Sequence, residues 1–397
     1  MAPAIHAREA GPADLPALTS LRFFVAFAVL LLHYRDLLGP MPAWLMRGLI
    51  GGQYGVTFFF ILSGFILTYR YHAWFAQGVT EAGFLRFQRF RFARIYPIYV
   101  LGLLLDTPWH LLERAQAGQL AAVGHTYWAS WLINLVGLQA WVPSTPFAMF
   151  WNTPAWSVAA EFFFYAGFPF LCGTLARRVR SGSGLVLTFV AVVLAGAALY
   201  AGVIYALNYV WRVNAETQYI VLVYNPLLRY SEFFAGCIAG QFFLRFAPQA
   251  PGAGMPVGRR GPWRDLVVIA CLLAVAVRIG MPDYTGPNRW LWLLDVSIKY
   301  AVFIAPFTAL ILAVASGRTC LSWLLERPWL VLLGEASYSL YIIHWSVTTF
   351  LRLGYLGSLA SPWVHGLFLA ATVAASVLCY RCIELPWRKR LRGSRPR

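Results

Sequence analysis

Apolar runs of 18 residues or more recur along this chain, and they set its fold class before any motif is considered. A run of that length crosses the ~30 Å hydrocarbon core of a bilayer as a helix, and a helix satisfies its own backbone polar groups there. Composition agrees. Of 397 residues, 60% are hydrophobic and 12% charged, where a soluble domain carries about 25% charged residues. Mean hydropathy is +0.62. The chain reads as an all-α integral membrane protein with about ten transmembrane helices. Candidate spans are 20–38, 49–70, 92–112, 155–176, 184–210, 219–244, 265–282, 290–316, 328–352 and 363–383.

A further apolar run, 127–142, is assigned by charge. Arg86, Arg89, Arg91 and Arg94 stand in the loop before the third span, and Arg177, Arg178 and Arg180 follow the fourth. Both clusters fall on the cytoplasmic side only if 127–142 does not cross, so it is expected to be re-entrant or interfacial, as Trp128, Trp131 and Trp141 suit. Arg259, Arg260 and Arg264 and the tail RKRLRGSRPR then also lie inside. The expected topology has both termini in the cytoplasm, one domain over 1–397 and no internal repeat of the inverted transporter kind.

The net charge of +17 is explained by these clusters between spans, which excludes a nucleic-acid partner. The six cysteines lie in or beside apolar runs, indicating neither a disulfide framework nor a metal site. The N-terminus lacks the basic region and cleavage site of a secretory signal.

Ionisable residues inside apolar spans are costly and mark function by default. In SLRFFVAFAVLLLHY, Arg22 and His33 are eleven residues apart, which puts them on one helix face, roughly 16 Å apart along the axis. A neutral imidazole in a desolvated site accepts a proton from a hydroxyl, or carries an acyl group covalently. Arg91 and Arg94 in RFQRFRFARIYP lie one turn apart near the level of Arg22; three guanidiniums at one mouth suit a polyphosphate. Glu161, in NTPAWSVAAEFFFY, needs an arginine, His33 or an acceptor hydroxyl as partner. GEASYSLYIIHWSV sets Ser337, Tyr338 and His344 on one helix, where they line an acceptor path or bond between helices. Gly55, Ser63 and Gly64, and Gly236 with Gly240, permit close helix approach. Arg229 with Glu232, and Asp295 with Lys299, read as structural ion pairs.

Together these motifs resemble the membrane acyltransferase-3 family, over about 16–387. LTSLRFFVAFAVLLLHY is similar to the family's first helix, FFFILSGFIL to its second and RFRFARIYPIYV to the start of its third. WSVAAEFFFYAGFPFL, GEASYSLYIIHW and CIELPWRK match its later blocks. The resemblance implies transfer of an acyl group, usually acetyl, from cytoplasmic acyl-CoA to a hydroxyl of a cell-envelope glycan, exopolysaccharide or lipid-linked sugar. A small molecule such as a macrolide or glycoside is the alternative acceptor, and a glycan flippase the more distant one. It implies His33 as catalytic histidine, Glu161 as functional glutamate, and Arg22, Arg91 and Arg94 as acyl-CoA-binding. Trp156, Ser157, Ser337, Tyr338 and His344 are candidates for the acceptor path. No metal is implied, and the expected location is the bacterial inner membrane. The family's consecutive acidic pair is here Glu161 followed by Phe162, and no appended SGNH domain is seen.

Overall fold

The computed structural model describes residues 13–122, 124–246, 261–281, 301–352 and 362–392, with Asn288, Leu291 and Asp295. Every regular element among them is helical. The first half contains α1 (Pro16–Tyr34), α2 (Ala43–Ile50), α3 (Gly55–Phe75), α4 (Glu81–Gln116), α5 (His125–Leu135), α6 (Thr145–Ala148) and α7 (Trp156–Arg178). Next come α8 (Gly182–Tyr205), α9 (Ala215–Tyr224), α10 (Pro226–Phe246), α11 (Pro262–Gly280) and α12 (Ile304–Ala315). The last are α13 (Ser322–Leu325), α14 (Pro328–Glu335), α15 (Ser337–Arg352), α16 (Pro362–Cys379) and α17 (Leu385–Arg392). Several begin on a proline, whose fixed φ and missing N–H cost nothing in a first turn.

Among the described residues, five helices, some with adjoining turns, are long and apolar enough to cross a membrane: Pro16–Leu37, Ala43–Phe75, Thr153–Arg178, Gly182–Val210 and Trp363–Leu391. Three of the other expected spans differ for local reasons. The third is part of α4, a helix of 36 residues that is N-capped by Thr80, whose hydroxyl accepts from the Gly83 N–H at 3.2 Å. Arg86 to Arg94 are therefore helical, correcting the expectation of a loop there. The 219–244 run is split, because Pro226 forces Asn225 into an extended conformation (ψ 123°). The 328–352 run is split at Ala336, where Gly334 lies against the Thr19 carbonyl of α1. Of 290–316, the continuous description starts at 301, and Lys299, the expected partner of Asp295, lies outside the described residues. Asp295 faces Arg278 at 3.8 Å.

Segment 127–142 forms no spanning helix. The 11 residues of α5 rise ~16 Å, half the hydrocarbon thickness. Gly137 then turns the chain with φ 73°, in the left-handed region that glycine enters without strain.

The centre of the bundle is the contact of α3 with α10. A Cβ on Gly64 would fall on the Phe233 carbonyl oxygen, and one on Gly236 on that of Ile61. The backbones therefore touch, as small residues allow where no aqueous hydrophobic effect drives association. Beside this contact the expected Arg229–Glu232 pair forms at 3.1 Å, fully within the core. Arg229 also donates to the Thr57 hydroxyl of α3 at 3.1 Å and lies over the rings of Phe60 and Trp156. Around the core, α1 packs on α14 and α15, α15 on α4 and α16, and α7 on α3 and α10. The mostly exposed, apolar α8 and α16 form the outside.

Four outcomes follow for stability in detergent. Gly236→Val should lower it by about 3 kcal/mol, the upper range for overpacking. Gly202→Ala, facing open space on α8, should be neutral or slightly stabilising; equal melting temperatures would contradict the contact. Arg229→Met should cost about 3–5 kcal/mol by leaving Glu232 unpaired, and Arg229→Met with Glu232→Met should recover most of that. A double-mutant cycle on the melting transition measures the difference.

Candidate functional site

Two adjoining cavities enter the bundle, of about 110 Å³ and about 240 Å³. They share Arg22, Leu62, Ile66, Arg91 and Arg94 as wall residues, so a neck of three guanidiniums joins an outer chamber to an inner one. The structure brings together the three arginines that the sequence analysis grouped at one mouth. α1 supplies Arg22, and α4 supplies Arg91 and Arg94 because its helix continues through the basic stretch.

The three arginines are not equivalent. Arg91 is buried, donates to the Tyr71 hydroxyl at 2.6 Å and stacks on Tyr71 and Phe87. Arg22 and Arg94 are half-buried and make no hydrogen bond or ion pair with any described residue. Arg22 lies within electrostatic reach of Arg94, Arg388, Glu161 and Glu384. Two adjacent cations turned to a cavity without a bonded carboxylate are arranged as an anion would require, since bidentate forks match phosphate oxygens.

The outer chamber adds Tyr69, Arg70, Glu335 and Arg388 to this neck. Arg70 is held by Asp14 at 2.8 Å, and Arg388 stands 3.6 Å from the buried Glu384. Glu384 accepts from the Ser339 hydroxyl at 3.2 Å. It closes a π-helical turn, Tyr380–Glu384, that turns α16 into α17. Arg70, Arg388 and Glu384 were not singled out from the sequence. The ELPWRK stretch carried the signal, because a glutamate ending an apolar run with an arginine one turn later is an ion pair at a helix end.

The inner chamber follows α3 from Leu67 back to Val56, eleven residues or ~16 Å. Its walls are Val56, Phe59 and Phe60 on one side and Ser157, Glu161, Ser337, Tyr338 and Tyr341 on the other. Glu161 accepts from the Tyr165 hydroxyl at 2.8 Å, and that hydroxyl lies 3.4 Å from Ser63. Tyr338 donates to the Ile95 carbonyl at 2.7 Å. Ser157 and Tyr341 share a hydrogen bond of 2.9 Å. The buried Ser337 hydroxyl has no partner among the described residues. Trp156 is absent from the lining; it stacks on Tyr224 in the core.

His33 occupies the last turn of α1, partly exposed, and does not line either cavity. Gly55, next to the lining residue Val56, packs on Val25 and Val29 of α1, and Val29 stands about one turn before His33. Tyr341 ends the lining, and its ring lies 5.9 Å from that of His344. His344 also lies outside the lining; its Nε2 is 3.0 Å from His33 Nδ1. Of the roles left open for Glu161, contact with His33 is made by His344 instead. The C-x-x-C spacing of Cys379 and Cys382 was missed in reading the sequence; both are free thiols.

With this geometry established, comparison with known proteins places the chain. The profile of an acyltransferase domain, Acyl_transf_3, matches residues 15–381. The acyltransferase MdmB of Streptomyces mycarofaciens is 27% identical over 408 residues, covering 96% of this chain and 94% of that protein. A putative O-acetyltransferase of Staphylococcus aureus strain COL is 23% identical over 94% of this chain. The O-acetyltransferase OatA of S. aureus is 22% identical over 96% of it. The chain spans only 57% and 58% of those two staphylococcal proteins. No solved structure matches. Because the profile runs through nearly every residue from α1 into the final π turn, the chain belongs to the Acyl_transf_3 family of acyltransferase domains.

Proposed function

We propose that the protein is an O-acyltransferase of the bacterial inner membrane that moves an acyl group, by preference acetyl, from cytoplasmic acyl-CoA to a hydroxyl of a cell-envelope glycan or lipid-linked sugar. The observation that carries the donor half is the neck, where Arg22 and Arg94 are half-buried cations with no bonded anion among the described residues. In this reading they hold the phosphates of the nucleotide end, with Arg91 beside them. The pantetheine arm extends along the apolar inner chamber toward His33. The chain is oriented with the neck and both termini at the cytoplasmic face.

His33 Nε2 takes the proton of the acceptor hydroxyl as its oxygen attacks the thioester carbonyl. The C–S bond breaks, and the imidazolium returns the proton to the CoA thiolate, giving an ester and free CoA. The partial exposure of His33, at the end of α1 away from the neck, supports an acceptor that arrives from the opposite side. Ser157, Ser337 and Tyr338, with Glu161, are the polar groups available to orient the reactants. The O-acetyltransferase name of the staphylococcal relatives supports acetyl as the group moved. The end-to-end match with the Streptomyces acyltransferase supports a second reading of the acceptor alone, a hydroxylated small molecule such as a macrolide or glycoside.

Purified protein in nanodiscs should release thiol from acetyl-CoA, and His33→Ala should reduce release to background while remaining folded. Arg22→Ala and Arg94→Ala should each raise KM for acetyl-CoA about 10- to 100-fold, the worth of a lost charge-assisted hydrogen bond. No thiol release and no acetyl-CoA binding by folded wild type would refute the donor. Radiolabelled acetyl recovered in envelope polysaccharide, or in a small hydroxylated molecule, distinguishes the two acceptors.

A further inference from the structure

The hydrogen bond between His33 and His344 determines which nitrogen of each ring carries a proton. His344 is completely buried, and its Nδ1 lies 3.2 Å from the Leu340 carbonyl oxygen, one turn earlier on α15. A carbonyl only accepts, so this nitrogen must be the N–H of His344. In the neutral ring Nε2 is then a lone pair. The atom 3.0 Å from that lone pair is Nδ1 of His33, which must donate. His33 is left with an unprotonated Nε2, the atom a general base needs.

We propose that His344 is a positioning residue that holds His33 in the Nδ1–H tautomer, leaving Nε2 as the proton acceptor. The inference rests on the functional reading above, in which His33 is the base. Free imidazole side chains in water favour the opposite tautomer, so the pairing has a definite chemical consequence. It works as the aspartate of a hydrolase triad does, fixing tautomer and orientation, with a neutral partner in place of a carboxylate. Inside an apolar bundle that choice avoids burying an anion.

The rest of α15 supports the placement. The Trp345 ring meets the His33 ring edge-on at 5.2 Å. Arg352 donates to the His33 carbonyl oxygen at 2.9 Å and is itself 3.5 Å from Asp36. His33 is thus held by its side chain and by its backbone, both from one helix. Because Tyr341 lies at the end of the inner chamber and His344 one turn further along the same helix, α15 links the donor chamber to the base.

Histidine-selective nitrogen NMR on full-length protein in nanodiscs, assigned with His33→Ala and His344→Phe, tests the assignment directly. The expected wild-type pattern is protonation at Nδ1 and none at Nε2 for both rings. In His344→Phe, His33 should revert to Nε2–H. His33 protonated at Nε2 in wild type would overturn the proposal. Kinetically, His344→Phe should lower kcat for acetyl-CoA turnover about 100-fold or more, the lower end of what general-base catalysis contributes, with KM for acetyl-CoA unchanged. His344→Gln, whose side-chain carbonyl accepts from Nδ1–H, should recover at least tenfold of that loss. If His344→Phe does not fold, the wild-type tautomers and His344→Gln still decide. Wild-type kcat in folded His344→Phe, with His33→Ala inactive, would overturn this proposal alone. Wild-type turnover in His33→Ala would overturn the functional reading, while the NMR pattern would still report on the pair.

Discussion

The approach of α3 to α10 shapes everything that lies between them and the rest of the bundle. Gly64 on one helix and Gly236 and Gly240 on the other bring the backbones together without intervening side chains. With one face of α3 spent on that contact, its opposite face, from Val56 to Leu67, becomes the wall of the inner chamber. A bulkier seam would push α3 into that space. Close backbone packing is the form of cohesion a membrane bundle has available, because lipid offers apolar groups no reason to leave it.

The same medium sorts the polar residues. Several of those in the core pair internally: Arg229 with Glu232 and Thr57, Gln241 with His72 at 2.8 Å, and Ser20 with the Leu325 carbonyl at 2.5 Å. Those at the neck are handled differently. Arg91 is fixed by Tyr71, while Arg22 and Arg94 face the cavities. The contrast separates residues that bond helix to helix from residues turned to a cavity, although both kinds look alike as ionisable groups in apolar runs.

Much of this was legible in the residues. Hydrophobic run lengths gave the helical class, and the eleven-residue interval put Arg22 and His33 on one face of α1. The arginine clusters ruled out a crossing by 127–142, in keeping with the short α5. Helix boundaries were less legible. Thr80 extends α4 backwards through the basic stretch, and the breaks at Asn225 and Ala336 interrupt runs of unbroken hydrophobicity. Run length reports burial in an apolar phase, and it does not register a proline-directed extended residue or a glycine pressed onto another helix.

The chain by itself determined that it is a membrane helical protein, that an arginine of the basic mouth and a histidine share its first helix, and that its motifs are those of an acyltransferase. These follow from local periodicity and from residue types whose chemistry is the same wherever they sit. Only the tertiary structure decided what those residues touch. His344 meets His33 across 311 positions of sequence, Glu161 turns to Tyr165, and Trp156 withdraws into the core. Such partnerships depend on the angle and depth at which helices cross. Those are set by the summed packing of many side chains, and no short stretch of sequence encodes them.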